Sequence, residues 1–401
     1  MVVGQFSQDV DILVIGGGPA GYTAAFRAAE LEKTVAIVDP AETLGGECLH
    51  QACIPSKSSL HGVAGDPAVA TLGEGLEKRC TSHGIERLHG LAHFENAKTV
   101  QVTGEVVSVV KFRKAIIASG SQNRTHAAFP SALQVEKIYN TFFENKNILI
   151  VGNTPSAIEA ATFLCRTNTV SLWADGNILP IFDRRLVKFV EQPLSTQVAI
   201  LKDSPSAEQF DHIVLAGHRK PQTGTLQLEH ANVDCSNGFI DIDDTCRTNI
   251  QKIYAVGECA GCEHSAALAI AQGRVAAESA CGMDAHVDAT CIPKVVWSTP
   301  ELAQVGDLDT VDSVTVKWGN SGIAVALGEQ QGMTLLTYEK ESQAVLGIGI
   351  AGANATEMIS EGVLALEMGA TLYDLATIVR PHPTRSEMLS EAARIALSSI
   401  S

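Results

Sequence analysis

A chain of 401 residues has room for two or three domains, each with a core of its own. Its 29 basic and 45 acidic residues give a net charge of −16, and only 5% of residues are aromatic, which disfavours nucleic acid and anionic membranes as partners. No apolar run reaches the roughly 18 residues of a membrane span, no secretory leader pattern opens the chain, and ten cysteines lack disulfide-framework spacing, so a soluble cytoplasmic enzyme is expected.

Residues 10–39 read as a βαβ unit. Val10–Ile15 is an apolar strand, Gly16-Gly17-Gly18-Pro19-Ala20-Gly21 is a G-x-G-x-x-G turn, residues 19–31 form an Ala-rich helix, and Thr34–Val38 is a second strand ending at Asp39. Such glycines let the backbone approach a pyrophosphate, and the helix start supplies amide donors and positive potential. Asp39 stands where a carboxylate takes ribose hydroxyls.

Next comes Gly45-Gly46-Glu47-Cys48-Leu49-His50-Gln51-Ala52-Cys53-Ile54-Pro55-Ser56-Lys57. A disulfide needs Cα atoms roughly 4.4–6.8 Å apart, closer than positions i and i+5 of an ideal helix, so a bridged pair here requires a distorted or starting helical turn. The glycine pair and the proline permit one. Lys57 brings positive charge that favours a nearby thiolate. Two buried thiols or half a zinc site are the other readings, although zinc signatures favour shorter gaps. The stretch resembles the redox segment of the pyridine nucleotide–disulfide oxidoreductases, G-G-x-C-x4-C-[IV]-P-[SK]-K, and its ending resembles the dihydrolipoamide dehydrogenase branch. The resemblance implies a Cys48–Cys53 redox disulfide. It also implies FAD held by Gly16, Gly18, Pro19, Ala20, Gly21 and Asp39, with Gly46 and Lys57 beside it.

Residues 58–90 are polar with one short helix expected, and His61, His83, His89 and His93 are given no role. Residues 91–121 alternate apolar and polar positions as hairpin strands do. They end in Ala118-Ser119-Gly120, which resembles the family's A-T-G segment beside the flavin. A second βαβ unit follows: strand Ile148–Val151, then Gly152-Asn153-Thr154-Pro155-Ser156-Ala157 opening a helix, then strand Thr169–Trp173. In the family this unit binds the nicotinamide dinucleotide, which makes Gly152, Thr154, Ala157, Asp175 and Gly217 candidate NAD ligands. Thr154 replaces the second glycine and Ala157 the third, so the motif is eroded. Asp175, with no arginine nearby, favours NAD over NADP. Glu159 matches the family glutamate that pairs with the redox-helix lysine, here Lys57; an exposed helix glutamate is the other reading.

The stretch from Phe182 to Asp211 is short where the family threads extra strands. Gly217-His218-Arg219-Lys220-Pro221 resembles the family's G-R-x-P turn with His218 inserted. Residues 248–258 resemble the second flavin motif, with Gly257 in place and Glu258 replacing its aspartate. Cys259-Ala260-Gly261-Cys262 reads as small residues packing at a helix start, or as an auxiliary dithiol.

From Ile292 the chain resembles the family's interface domain, with strands expected at 313–325 and 332–350 and helices from Thr356, Leu372 and Ser386. His382-Pro383-Thr384-Arg385-Ser386-Glu387 resembles H-P-T-x-S-E. The resemblance gives His382 as catalytic base and Glu387 as the group orienting it, donated across a homodimer. Arg380 and Arg385 depart from the family pattern at positions where they can change what enters the thiol pocket.

The resemblance spans the chain. It implies an α/β protein of two Rossmann-like dinucleotide-binding domains, for FAD and then a trimmed one for NAD, plus a C-terminal α+β dimerisation domain. The expected division is 1–142 with 242–288 for FAD, 143–241 for NAD and 289–401 for the interface. It implies a dihydrolipoamide dehydrogenase-like enzyme passing electrons from a dihydrolipoyl dithiol, on a carrier protein or a small molecule, through Cys48–Cys53 and FAD to NAD. An NAD(P)H-dependent reductase of another disulfide is the first alternative. A flavin-bearing interaction subunit without dinucleotide chemistry is the second.

Overall fold

The computed structural model describes residues 6–104, 107–217, 219–261 and 265–400. His218 and Cys262 lie outside them. The chain divides into two compact units, one of residues 1–124 and 218–287, the other of 125–217 and 288–401.

In the first unit, strand Phe6–Ile15 pairs in parallel with Val35–Asp39 and with Ser108–Ile117. Glu86–His89 extends the sheet beyond Val35–Asp39, and the antiparallel strands Thr99–Thr103 and Leu91–Asn96 extend it on the other side. Ile253–Ala255 returns to pair with the end of Ser108–Ile117. Alternation along the first strand decides the packing. Leu13 and Ile15 join a core with Phe94, Val100 and Ile117 on one face, while Ile12 and Val14 pack with Ala24, Phe26 and Tyr254 on the other. Helix Pro19–Glu30 has proline in its first turn and buries Ala20, Ala24, Ala25 and Ala28, small residues that let it lie close to its neighbours. The polar region after the redox stretch holds more helix than its composition suggests: Asp66–Ser82 is a single 17-residue helix that buries Gly73 and Cys80. Its other positions are largely wet, so apolar periodicity gave no signal of its length.

In the second unit, a five-stranded parallel sheet runs in the order Val198–Leu201, Thr169–Trp173, Asn147–Val151, His212–Leu215, Leu133–Gln134. An antiparallel sheet runs Lys294–Val296, Leu302–Gly306, Val345–Ala351, Met333–Tyr338, Ser313–Lys317. The strand expected over 313–325 stops at Lys317, and Gly322–Leu327 is a short helix capped by the Ser321 hydroxyl. Helices Ala355–Glu367, Leu372–Thr377 and Glu387–Ile400 complete the unit. One core joins the two sheets, taking Ile150, Val170 and Leu186 together with Met333, Leu335 and Ala351.

Helix Arg184–Leu194 is held in that core by its first residues. Asp183 Oδ1 accepts from the Arg185 amide at 2.7 Å, and the Arg185 guanidinium reaches Asp183, Ser313 Oγ at 3.2 Å and the Leu308 carbonyl at 2.7 Å. Burial pushes the Asp183 carboxyl up, but hydrogen bonds from the Arg185 side chain and amide outweigh it and hold the group below its ordinary value. A depressed carboxylate stabilises the fold above the ordinary carboxylate range and loses that contribution as pH falls through its folded value. Asp183→Ala is expected to cost about 2 kcal/mol in urea denaturation at pH 7 and to flatten the acid limb of the stability profile. An unchanged midpoint would show that the cap contributes nothing.

Candidate active site

The two cysteines of the redox stretch fall on either side of a helix break. Cys48 lies in the short helix Gly46–His50 and Cys53 opens the helix Cys53–Leu60. The Gln51 and Ala52 amides both turn back to the Glu47 carbonyl at 2.8 Å, which closes the first helix and lets the second start at Cys53. The distortion anticipated for an i, i+5 pair is present. Both residues are free thiols, half-buried, with the two sulfurs in hydrogen-bond contact. That contact, followed by burial and the negative charge Cys53 would carry, pushes the Cys48 thiol far up, and Lys57 pulls it down. Cys53 sits where the amide groups of a helix start favour a thiolate.

The glycine turn forms a close-fitting cradle. Gly16 has φ +110°, and a β-carbon there would come within 2.2 Å of the Ala118 carbonyl oxygen. Gly46 faces Gly18 so closely that a β-carbon on Gly46 would lie 2.7 Å from the Gly18 Cα. The redox helix therefore starts at the mouth of the cradle. Pro19, Ala20 and Gly21 form the first turn of helix Pro19–Glu30, whose start no side chain caps. Asp39 accepts from the Gly17 amide at 2.5 Å and the Ala41 amide at 2.8 Å, at the end of the second strand. An uncapped helix start, glycines in place of side chains at the turn, and a carboxylate at the end of the second strand fit a dinucleotide such as FAD.

Ser119 and Gly120 follow the strand Ser108–Ile117, and Gly257 opens the turn that carries Glu258. The Gly257 amide donates to Gln272 Oε1 at 2.7 Å. Cys259 is fully buried in the core, with its thiol toward the Ile117 and Val256 carbonyls, and burial pushes its pKa up. The Cys259–Cys262 pairing itself lies outside the described residues.

The second cradle differs. Gly152, φ +146°, lies against Ala216 as Gly16 does against Ala118. Pro155 and Ala157 begin the helix Pro155–Leu164, and Ala157 is buried. Thr154 precedes that helix without capping it: its hydroxyl shares a 2.9 Å hydrogen bond with Ser156, and its methyl crowds Gly217, where a β-carbon would lie 2.6 Å away. The helix start thus remains uncapped, while a side chain stands in front of Gly217. Asp175 is exposed past the end of strand Thr169–Trp173. Glu159 is buried, not an exposed helix glutamate, and accepts from the Trp297 amide at 3.1 Å. Lys57 belongs to the first unit and Glu159 to the second.

His382 and Glu387 are brought together as their spacing implies. His382 Nδ1 lies 2.9 Å from Glu387 Oε1, and Glu387 Oε2 accepts from the Thr384 amide at 2.8 Å. The histidine hydrogen bond, with the Thr384 amide second, holds the Glu387 carboxyl below its ordinary value. The His382 side chain is 80% exposed, so the ring is oriented yet open to a reactant. Arg380 and Arg385 are engaged elsewhere. Arg380 is buried against Glu361 and Ser390 and donates to the Leu375 carbonyl at 3.1 Å; Arg385 pairs with Glu329. Both brace the unit that carries His382.

The structure adds three residues that motif reading passed over, Glu47, Ser121 and Arg219. Arg219 is largely shielded from solvent and meets Glu47, Glu258, Ser121 and Asn123. The signal in the sequence was an arginine in a turn motif with a carboxylate in the variable slot before Cys48.

Residues 10–273 match the family model for pyridine nucleotide-disulphide oxidoreductase, and residues 292–393 match the dimerisation domain of the same family. Dihydrolipoyl dehydrogenase of Geobacillus stearothermophilus is 31% identical over 469 residues, covering 99% of this chain and 98% of that protein. Dihydrolipoyl dehydrogenase 3 of Haloarcula marismortui is 31% identical over 474 residues, covering 98% of each. Alignments of that length against 401 residues mean that internal segments are shortened here. Among solved structures, LpdA of Mycobacterium tuberculosis superposes with a TM-score of 0.89 at 20% identity, covering 96% of this chain and 99% of that one. The HOCl-induced flavoprotein disulfide reductase RclA of Escherichia coli gives 0.86 at 21%, with the same coverage. None of the helices among the described residues is long and apolar enough to cross a membrane.

Proposed function

The chain belongs to the pyridine nucleotide-disulphide oxidoreductase family, and on that premise we propose that it oxidises a dihydrolipoyl dithiol through Cys48 and Cys53, with NAD as final acceptor. It is a flavin-dependent disulfide oxidoreductase similar to dihydrolipoyl dehydrogenases. The observation that carries the reading is the hydrogen-bonded pair Cys48 and Cys53, on two successive short helices of which the first begins at Gly46, packed on Gly18 of the dinucleotide cradle.

When bound, FAD would supply a two-electron acceptor, held by the glycine turn from Gly16 to Gly21 and Asp39, and NAD would supply the hydride acceptor. The protein groups do the thiol chemistry. A substrate thiolate attacks Cys48 of the oxidised pair, and Cys53 leaves as a thiolate at a helix start. The partner subunit's His382 takes the proton of the second substrate thiol, whose sulfur then closes the substrate disulfide and releases Cys48. Glu387 holds the imidazole by its Nδ1, leaving Nε2 as the base. Lys57 supplies positive charge for the thiolate. A homodimer is the smallest competent unit, in keeping with the dimerisation domain over 292–393. The buried free thiols Cys80, Cys246 and Cys291 suit a reducing compartment, so a cytoplasmic setting is proposed too.

The test is NADH formation from NAD and dihydrolipoamide by the FAD-loaded protein, run beside NAD(P)H oxidation by glutathione-type disulfides. Activity with the second pair alone would favour a reductase of another disulfide. One observation favours the reading without dinucleotide chemistry, namely Thr154 crowding Gly217. Thr154→Gly is expected to tighten NADH binding by about tenfold, measured by fluorescence titration. Unchanged affinity would clear Thr154 as an obstacle, and failure of NADH to reduce the flavin in either protein would favour the interaction subunit.

A further inference from the structure

Resting on the flavin reading above, we propose that Arg219 is the positioning residue of the flavin site, a cation that clamps Glu47 of the redox helix and Glu258 of the second flavin motif. The first unit brings these three charges together from sequence positions far apart. The Arg219 side chain is 10% exposed, against 28% for Glu47 and 21% for Glu258. Its Nε donates to Glu258 Oε2 at 3.1 Å and to Ser121 Oγ at 2.5 Å, its Nη1 donates to Asn123 Oδ1 at 3.0 Å, and its Nη2 donates to Glu47 and to the Ser121 carbonyl. The Ser121 hydroxyl donates to Glu258 in turn.

Each segment held this way borders the cradle. Glu47 follows Gly46, which packs on Gly18; Ser121 follows Ser119-Gly120; Glu258 follows Gly257. Strand Arg219–Pro221 pairs with Ser121–Asn123, so backbone hydrogen bonds fix the arginine before its side chain engages. Two half-buried carboxylates bound to one guanidinium are left to repel when that cation is removed, and one of them must then take up a proton. The clamp therefore makes a specific demand on pH. With Arg219 in place each carboxylate has a cationic partner, and flavin affinity is flat across the neutral range. Without it, affinity falls where both carboxylates are ionised and recovers in mild acid.

The experiment is FAD titration of the apoprotein, followed by flavin fluorescence between pH 5.5 and 8. Arg219→Gln is expected to weaken FAD binding about tenfold or more at pH 8 and to recover most of that loss at pH 5.5. Arg219→Lys should fall between, since lysine keeps the charge and loses the fork. The double variant Glu47→Gln with Arg219→Gln should return to within a few-fold of wild type and lose the pH dependence. Glu47→Gln alone, which leaves the arginine one carboxylate and keeps the fold testable, should release flavin several-fold faster. Wild-type affinity in Arg219→Gln at pH 8, a double variant as weak as the single one, or unchanged release from Glu47→Gln would each overturn the clamp. Should the wild-type apoprotein itself take up no FAD, the flavin reading fails and the clamp with it.

Discussion

His382→Ala is expected to keep its flavin and to lose dithiol oxidation by about a hundredfold or more, measured as dihydrolipoamide-dependent NADH formation. The structure gives the histidine little to do for the fold. Its side chain is 80% exposed, and its ring contact is the 2.9 Å bond to Glu387. The interaction is therefore orienting: a carboxylate holding Nδ1–H leaves Nε2 as an acceptor pointed by a fixed partner. Glu387 is itself fixed by the Thr384 amide at 2.8 Å, one turn before the helix Glu387–Ile400. Glu387→Gln should cost less, about tenfold, because an amide still accepts from the ring but no longer stabilises its protonated form. Direct transfer from NADH to an artificial electron acceptor needs no proton transfer to a thiol and should be spared in both variants. Equal loss of the two activities would mean that His382 acts on the fold rather than on the substrate.

The second large effect belongs to Cys48. Cys48→Ser removes the sulfur that a substrate thiolate attacks, and dithiol oxidation should fall at least about a thousandfold, because a hydroxyl cannot form the mixed disulfide. Cys53 remains, so the variant keeps one thiol beside the cradle and should retain flavin. The hydrogen bond to Cys53 and burial push the Cys48 thiol up. A neutral Cys48 is a poor free nucleophile, which suits a group that spends the resting state in a disulfide and meets substrate by being attacked. Measurable mixed-disulfide formation in Cys48→Ser would reassign the exchange thiol to Cys53.

Much of this was legible in the chain itself where local chemistry admits few solutions. The turn from Gly16 to Gly21 needs glycine because a carbonyl lies 2.2 Å from where a β-carbon would be, and strand, turn and helix stand in an order that few other uses require. The cysteine pair forecast its own helix break, since five-residue spacing and a regular helix are incompatible with contact. What escaped was non-local. Helix Asp66–Ser82 buries too few residues to show a periodic face. Arg380 and Arg385, read as departures able to change what enters the thiol pocket, are tied to Glu361 and Glu329, acids 19 and 56 residues away. The meeting of Arg219 with Glu47 spans 172 residues, and neither motif by itself shows that its charge meets the other's. Thr154 was visible as a departure, but its orientation toward Gly217 depends on the parallel strand that brings Ala216 and Gly217 beside the glycine turn.

In the proposed reaction, electrons pass between the Cys48–Cys53 pair and the bound flavin. Visible absorption during two-electron reduction under anaerobic conditions tests it most directly. The reduced wild type should develop a long-wavelength band from a Cys53 thiolate in contact with oxidised flavin, and Cys53→Ser should lack that band while still binding FAD. A wild type that reduces straight to colourless flavin with no such band, or a band that survives Cys53→Ser, would rule out electron transfer from Cys53 to the flavin.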